Sequence, residues 1–228
     1  MRLHTRSAME QKQKQTKSKE RVRAHGEVFT AEREVKAMCD LVKDETERID
    51  SRFLEPACGD GNFLAEILTR KLAVVKHKYS KSHLDYEKNA VLAASSIYGV
   101  DILLDNVEAC RARMFAIWDK EYKAVCKKDC NDQTREAVKF IFSRNIVCGN
   151  ALTLKCVDEN ANDIDEPITF SEWAFVTASQ LQRSDYTFAE LLVQNDEQNQ
   201  LPLQPCVSDE GTFLKKYITH YRRVQENG

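Results

Sequence analysis

Two glycines, Gly59 and Gly61, bracket Asp60 in the stretch FLEPACGDGNFL, Phe53 to Leu64, of a chain that has only seven glycines. The letters before the pair read as the end of a buried strand, and those after it as the start of a helix. Glycine lets a backbone approach a ligand with no Cβ in between. Beyond the carboxyl end of a strand in an open parallel sheet, such a loop is placed to hold a nucleotide or a related molecule. A dinucleotide fingerprint wants a third glycine, where Leu64 stands, and an acid about 20 residues further on. The next acid at a strand end is Asp101, closing SIYGVDI. NAD is therefore the weaker reading of the loop. Cysteine chemistry is the other possibility to weigh. The eight cysteines, at 39, 58, 110, 126, 130, 148, 156 and 206, are scattered, and Cys126 and Cys130 form the only close pair. A zinc site wants a second pair or histidines at ligand spacing. The cysteines read as reduced thiols, and Cys58 as a small core residue rather than a nucleophile.

The elements that must position the loop follow from hydrophobic periodicity. Val35, Met38, Cys39, Leu41 and Val42 keep helical spacing, with Thr30 as a plausible N-cap. Phe63, Leu64, Ile67, Leu68, Leu72 and Val75 give the helix after the glycines an apolar stripe. Residues 76–95 read as a further helical piece. SIYGVDI is a second short buried strand, and the run from Leu103 to Cys126 is strongly helical, with Val107, Cys110, Met114, Ile117, Trp118 and Tyr122 on one side. NDQTREAVKFIFSR is another helix, and NIVCGNAL a third short strand. This alternation predicts an α/β fold with a mostly parallel sheet flanked by helices. Beyond about residue 155 the chain turns polar and acidic. There ITFSEWAFV reads as a strand and YTFAELLV as a short helix, and the last segment mixes aromatic and basic residues.

Taken together, these segments resemble class I S-adenosylmethionine-dependent methyltransferases. FLEPACGDGNFL is similar to their first motif, and most similar to that of the DNA methyltransferases that act on adenine N6. GEVFTAEREVKAM resembles the segment preceding that motif, with Ala31 where the family usually has proline. SIYGVDI resembles the second motif and NIVCGNAL the third, so the resemblance covers residues 25–153. It implies a Rossmann-like domain over residues 25–228, with a core to 155, a polar partner-docking tail from 156, and a basic arm over residues 1–24. It also implies S-adenosyl-L-methionine as cofactor. Thr30 would hold the methionine carboxylate. Glu55 would lie near the ammonium group, and Ala57, Gly59, Asp60, Gly61 and Phe63 would form the loop around the cofactor. Asp101 would accept hydrogen bonds from both ribose hydroxyls, Ile102 would pack on the adenine, and Asn150 and Ala151 would border its amine. Singly, these residues have plainer readings: Asp101 and Thr30 as helix caps, Asn150 as a turn residue, Glu55 as a surface acid.

The family's acceptor motif, (D/N/S)PP(Y/F), is missing. The four prolines are Pro56, Pro167, Pro202 and Pro205, and no two are adjacent. DEPITF, Asp165 to Phe170, has an acid, one proline and a later aromatic, but it lacks the paired prolines on which that loop's geometry depends. No catalytic residue is therefore assigned. The resemblance then implies the cofactor-binding subunit of a split DNA adenine-N6 methyltransferase, of restriction-modification or mobile-element type. A partner chain would supply the acceptor motif and the DNA-reading part. Trp173, Tyr186, Tyr217 and Tyr221 are the candidate anchors for that partner, with core packing the other role open to Trp173. Two alternatives stay open: a non-catalytic regulatory or assembly subunit, and a methyltransferase acting on RNA, protein or a small molecule.

Composition sets the outer bounds. The chain has 228 residues, 42% hydrophobic and 31% charged, with a net charge of -2, which suits one globular domain. The balance gives no global attraction to nucleic acid, so DNA is expected to be met through the complex. Residues 1–25 are an exception: eight Lys and Arg stand against Glu10 and Glu20, as in a solvated arm. No apolar run approaches the ~20 residues that span a bilayer, and no signal peptide is apparent. A cytoplasmic protein with no membrane partner is the expectation.

Overall fold

The computed structural model describes residues 30–198 and 214–227. The basic arm, Cys206, Pro202 and Pro205 lie outside the described residues. The chain opens with helix α1 (Glu32–Leu41), which buries Val35 and Cys39, followed by the one-turn helix α2 (Lys43–Thr46). The N-cap of α1 is Ala31 rather than the predicted Thr30. No side chain caps this end, and the amides of Glu34 and Val35 bond the Ala31 carbonyl instead. Strand β1 (Phe53–Glu55) leads through the glycine loop into α3 (Asn62–Tyr79). Residues 76–95 are not one piece. The first helix runs on to Tyr79, and α4 (His83–Ser95) starts afresh at Ser82, whose hydroxyl accepts the Asp85 amide at 3.3 Å. That serine supplies the N-terminal cap a new helix needs.

Strand β2 (Ile97–Asp101), helix α5 (Leu104–Cys126), a 3-10 turn (Lys127–Asp129), helix α6 (Asp132–Asn145) and strand β3 (Ile146–Cys148) follow. The three strands form a parallel sheet in the order β1-β2-β3, with Phe53 opposite Ile97 and Asp101 opposite Cys148. Alternate residues of β2 face two different cores, as the period of a strand requires. Ile97 joins the helical core, where Trp118 stacks on Tyr122 with centroids 4.7 Å apart and donates its indole N–H to the Ala90 carbonyl. Tyr98 and Val100 face a smaller cluster with Ile168, Phe170 and Phe188. Gly99 has no room for a side chain, because a Cβ there would stand 2.9 Å from Leu64 and 3.0 Å from the Cys58 sulfur.

After residue 155 the structure holds the strand read from ITFSEWAFV and the helix read from YTFAELLV, together with further strands. The stretch DENANDIDEP takes part in an antiparallel pair, β4 (Lys155–Val157) with β5 (Asp163–Pro167). Strands β6 (Thr169–Phe175) and β7 (Gln180–Thr187) make a second antiparallel sheet with β8 (Lys215–His220), and helix α7 (Phe188–Gln198) follows β7 directly. The sheet is fastened by buried polar bonds. Trp173 Nε1 donates to Asn145 Oδ1 at 2.9 Å, and Arg183 grips Asp185 with two nitrogens at 2.8 and 2.7 Å. The closing 3-10 segment (Tyr221–Asn227) is tied to α4 through Glu87. Its carboxylate accepts from Tyr221 at 2.5 Å, from Arg222 at 2.7 Å and from Tyr122. No helix among the described residues is long and apolar enough to cross a membrane.

Candidate functional site

The glycine loop and the acid at the end of β2 come together at the carboxyl rim of the parallel sheet. The Gly59 amide donates to Asp101 Oδ2 at 2.9 Å across a sequence separation of 42 residues. The loop is anchored at its base, since the Cys58 amide bonds the Val100 carbonyl at 2.8 Å. A tight turn follows, with the Gly61 amide on the Cys58 carbonyl at 2.8 Å. Both glycines have positive φ, +53° at Gly59 and +88° at Gly61, which L side chains rarely adopt. Their reasons differ. A Cβ at Gly61 would stand 2.6 Å from the Cys110 sulfur, whereas a Cβ at Gly59 would meet nothing within 4 Å. Gly61 is therefore demanded by packing inside the protein. Gly59 turns bare backbone toward open space, as a cradle for a ligand would.

Asp101 is only 9% exposed, and its carboxylate already has partners. Oδ1 accepts the Leu103 amide at 2.9 Å and the Asn106 side chain at 3.2 Å, while Oδ2 accepts Gly59. It does not cap α5, whose N-cap is Leu103. Glu55 is half-buried just before the loop. Burial pushes its carboxyl above the ordinary range, and the Ala57 amide bonded to it works the other way. Asp60 pairs with Arg113 at 3.4 Å, and the same guanidinium nitrogen donates to Asn62 Oδ1 at 2.7 Å, bracing the entry to α3. Phe63 packs against the helical core. The Cys58 thiol is pushed far up by its hydrogen bond with Cys110 and by burial, so it stays protonated. Cys126 and Cys130 turn their thiols to the carbonyls of His83 and Tyr122, at 3.8 and 3.7 Å.

On the neighbouring strand end, the Gly149 amide bonds the Asp101 carbonyl at 2.9 Å, which sets β3 beside the acid. Ile102 lies half-buried here, its carbonyl accepting from the Cys148 thiol at 3.7 Å. Asn150 serves as a turn former. Its Oδ1 accepts the Leu152 amide at 3.0 Å, and its Nδ2 donates to Asp163 at 3.0 Å. Ala151 is half-buried against the smaller cluster, and Leu152 beside it is 95% exposed. Thr30 is half-buried just ahead of α1. The structure thus gathers Gly59, Gly61, Asp101 and Ile102 at one rim, with Asn150 and Ala151 on the loop that follows β3. Three residues that sequence reasoning missed complete the arrangement: Asn106 on the acid, Arg113 on the loop and Cys110 beneath Gly61. Asn106 and Arg113 carry no signal in a single sequence, and Cys110 read only as one position of an apolar stripe. Of the partner anchors, Trp173 and Tyr221 are buried, while Tyr186 and Tyr217 are half-buried, with Arg183 lying over the Tyr217 ring at 4.6 Å.

Comparison of the chain with protein families, with curated proteins and with solved structures finds no match.

Proposed function

We propose that this chain is a Rossmann-like, class I methyltransferase-type domain that binds S-adenosyl-L-methionine at the glycine loop. In this reading it is the cofactor-binding subunit of a split, cytoplasmic DNA adenine-N6 methyltransferase. A partner chain brings the acceptor motif and the DNA contacts. One observation carries the reading: the 2.9 Å bond that sets the Gly59 backbone against the carboxylate ending the adjacent parallel strand. A nucleoside needs open backbone for its polar tail and a carboxylate for its sugar, side by side at a sheet's rim. The open space before Gly59 fits the first need. The second lone pair of Asp101 Oδ2 fits the other, because a carboxylate oxygen can accept more than one bond. S-adenosylmethionine would supply a sulfonium methyl for transfer to an amine. The chain's own residues bind and orient it: Glu55 beside the ammonium, Asp101 on the ribose, Ile102 against the adenine.

A second reading is favoured by a specific observation. Asp101 accepts three bonds from within the protein, and both ends of the Asn150 amide are engaged. A non-catalytic assembly subunit, keeping the fold without the ligand, would look the same. Calorimetry with S-adenosylmethionine decides between them. Micromolar binding that weakens about tenfold or more in Asp101→Asn supports the first reading, since a charged acceptor contributes about 1.5–3 kcal/mol. No heat of binding, in the chain alone and with any co-purifying partner, supports the second.

A further inference from the structure

A second cavity lies at the opposite end of β2 from the glycine loop. It measures about 260 Å³ and sits between the loop before β1, the foot of β2 and the paired strands β6 and β7. The five residues of β2 hold its two ends roughly 13 Å apart, so this cavity is separate from the rim where Asp101 stands. One wall comes from a single face of the β6–β7 ladder, where Glu172 stands opposite Ser184 and Ala174 opposite Gln182. Trp173, between them, turns its indole to Asn145 on the other side. The facing wall carries Arg52, ion-paired with Glu172. The loop that bears Arg52 is pinned, because Lys71 donates to the carbonyls of Ile49 and Ser51 and to Ser96 Oγ. Asp50 on the same loop adds a second carboxylate to the lining. Other polar groups there keep unused capacity. Ser184, 5% exposed, accepts from Gln182 Nε2 at 3.2 Å, and its own proton has no acceptor among the described residues. The Gln182 carbonyl and the Tyr186 hydroxyl, both on half-buried residues, have no partner among the described residues either.

We propose that this cavity binds a small zwitterion, a free amino acid, at a site distinct from the glycine loop. Its volume falls below the ~300–1,000 Å³ of sites for drug-sized molecules, so the occupant is smaller than those. Charge sets the class. An anion alone would meet the carboxylates of Glu172 and Asp50, and a cation alone would meet Arg52. A zwitterion satisfies both. Its carboxylate takes the planar fork of Arg52 and its ammonium takes Glu172, so the ion pair exchanges partners for the two ends of the ligand. The Ser184 and Tyr186 hydroxyls and the Gln182 carbonyl are left for the ligand's side chain. The lining carries one more carboxylate than guanidinium, which favours neutral and basic side chains over acidic ones. The proposal does not rest on the methyltransferase reading. To test it, thermal unfolding of the full chain is followed with each of the twenty L-amino acids in turn, and calorimetry measures the best of them. The expected result is one or a few neutral or basic amino acids that raise the melting temperature by about 3–6 °C at ten times their Kd. The N-acetyl derivative and the carboxamide of the best ligand each lack one charge and should bind at least about tenfold more weakly. Arg52→Gln and Glu172→Gln should each lose about tenfold or more in affinity. Arg52 is exposed, so its variant keeps the fold, and the two derivatives test the charges on the natural chain with no substitution at all. An amino acid held at the glycine loop instead would bind the Arg52→Gln chain undiminished, and that result overturns the proposal. So does the absence of a shift with any of the twenty, an acidic amino acid as the tightest ligand, or derivatives that bind as well as their parent.

Discussion

Replacing Gly61 with alanine probes the loop at the position where geometry leaves least freedom. The new Cβ would stand 2.6 Å from the Cys110 sulfur, and the backbone there has φ +88°. An L residue in the left-handed region costs about 1–2 kcal/mol, and overpacking a filled site adds about 1–3 kcal/mol. The single variant should therefore lose about 3 kcal/mol. For a chain of this size that corresponds to a fall in melting temperature of roughly 6–12 °C. Cys110→Ala alone removes a fully buried sulfur and should cost about 1 kcal/mol. In the double variant the alanine methyl occupies the space the sulfur left, so only the backbone cost remains, about 1–2 kcal/mol. The expected coupling is thus about -2.5 kcal/mol, well outside the additivity of independent sites. Urea unfolding of the four proteins in parallel measures it. A coupling within about 0.5 kcal/mol of zero refutes the claim that Cys110 is what makes glycine obligatory at 61.

Glu87→Gln should destabilise by about 2–4 kcal/mol, since it weakens buried bonds from Tyr122, Tyr221 and Arg222. Limited proteolysis should then cut the 3-10 segment after β8 first, and cleavage elsewhere would count against its anchoring role. Lys71 should make stability depend on pH. Its ammonium is buried against the carbonyls of Ile49 and Ser51 and the Ser96 hydroxyl, and burial pushes it down to about 7. Below that pH both folded and unfolded chains carry the proton. As pH rises, the folded chain releases it first, so the unfolded chain binds more protons and stability increases. Relative to Lys71→Met, the natural chain should gain about 2 kcal/mol between pH 7 and 9. Taking the difference removes the thiols, which titrate alike in both, and a flat difference would show that Lys71 stays charged in the fold.

Local chemistry was legible in the letters. The apolar stripe from Leu64 to Val75, the run from Val107 to Tyr122, and the strand ending at Asp101 all stand where periodicity put them. These features depend on neighbours three or four residues away, which a sequence displays directly. Misreadings came where a local rule met a tertiary alternative. Thr30 could cap a helix, but the chain enters α1 one residue later, at Ala31. The stretch after residue 157 shows only a polar, acidic composition, yet strand pairing with Lys155–Val157 makes part of it β5.

The sequence alone determined the order of the main helices and strands up to β3 and the placing of the glycine pair between a strand and a helix, because both rest on short-range periodicity and backbone sterics. Only the tertiary structure decided who Asp101 holds, that Glu87 receives Tyr221 from 134 residues away, that Asn106 bonds the Asp101 carboxylate, that Cys110 sits beneath Gly61, and that Leu54 stays exposed on β1. Hydrogen-bond partners and close packing across such distances are fixed by how sheets and helices stack, and no pattern within a few residues of each group encodes them.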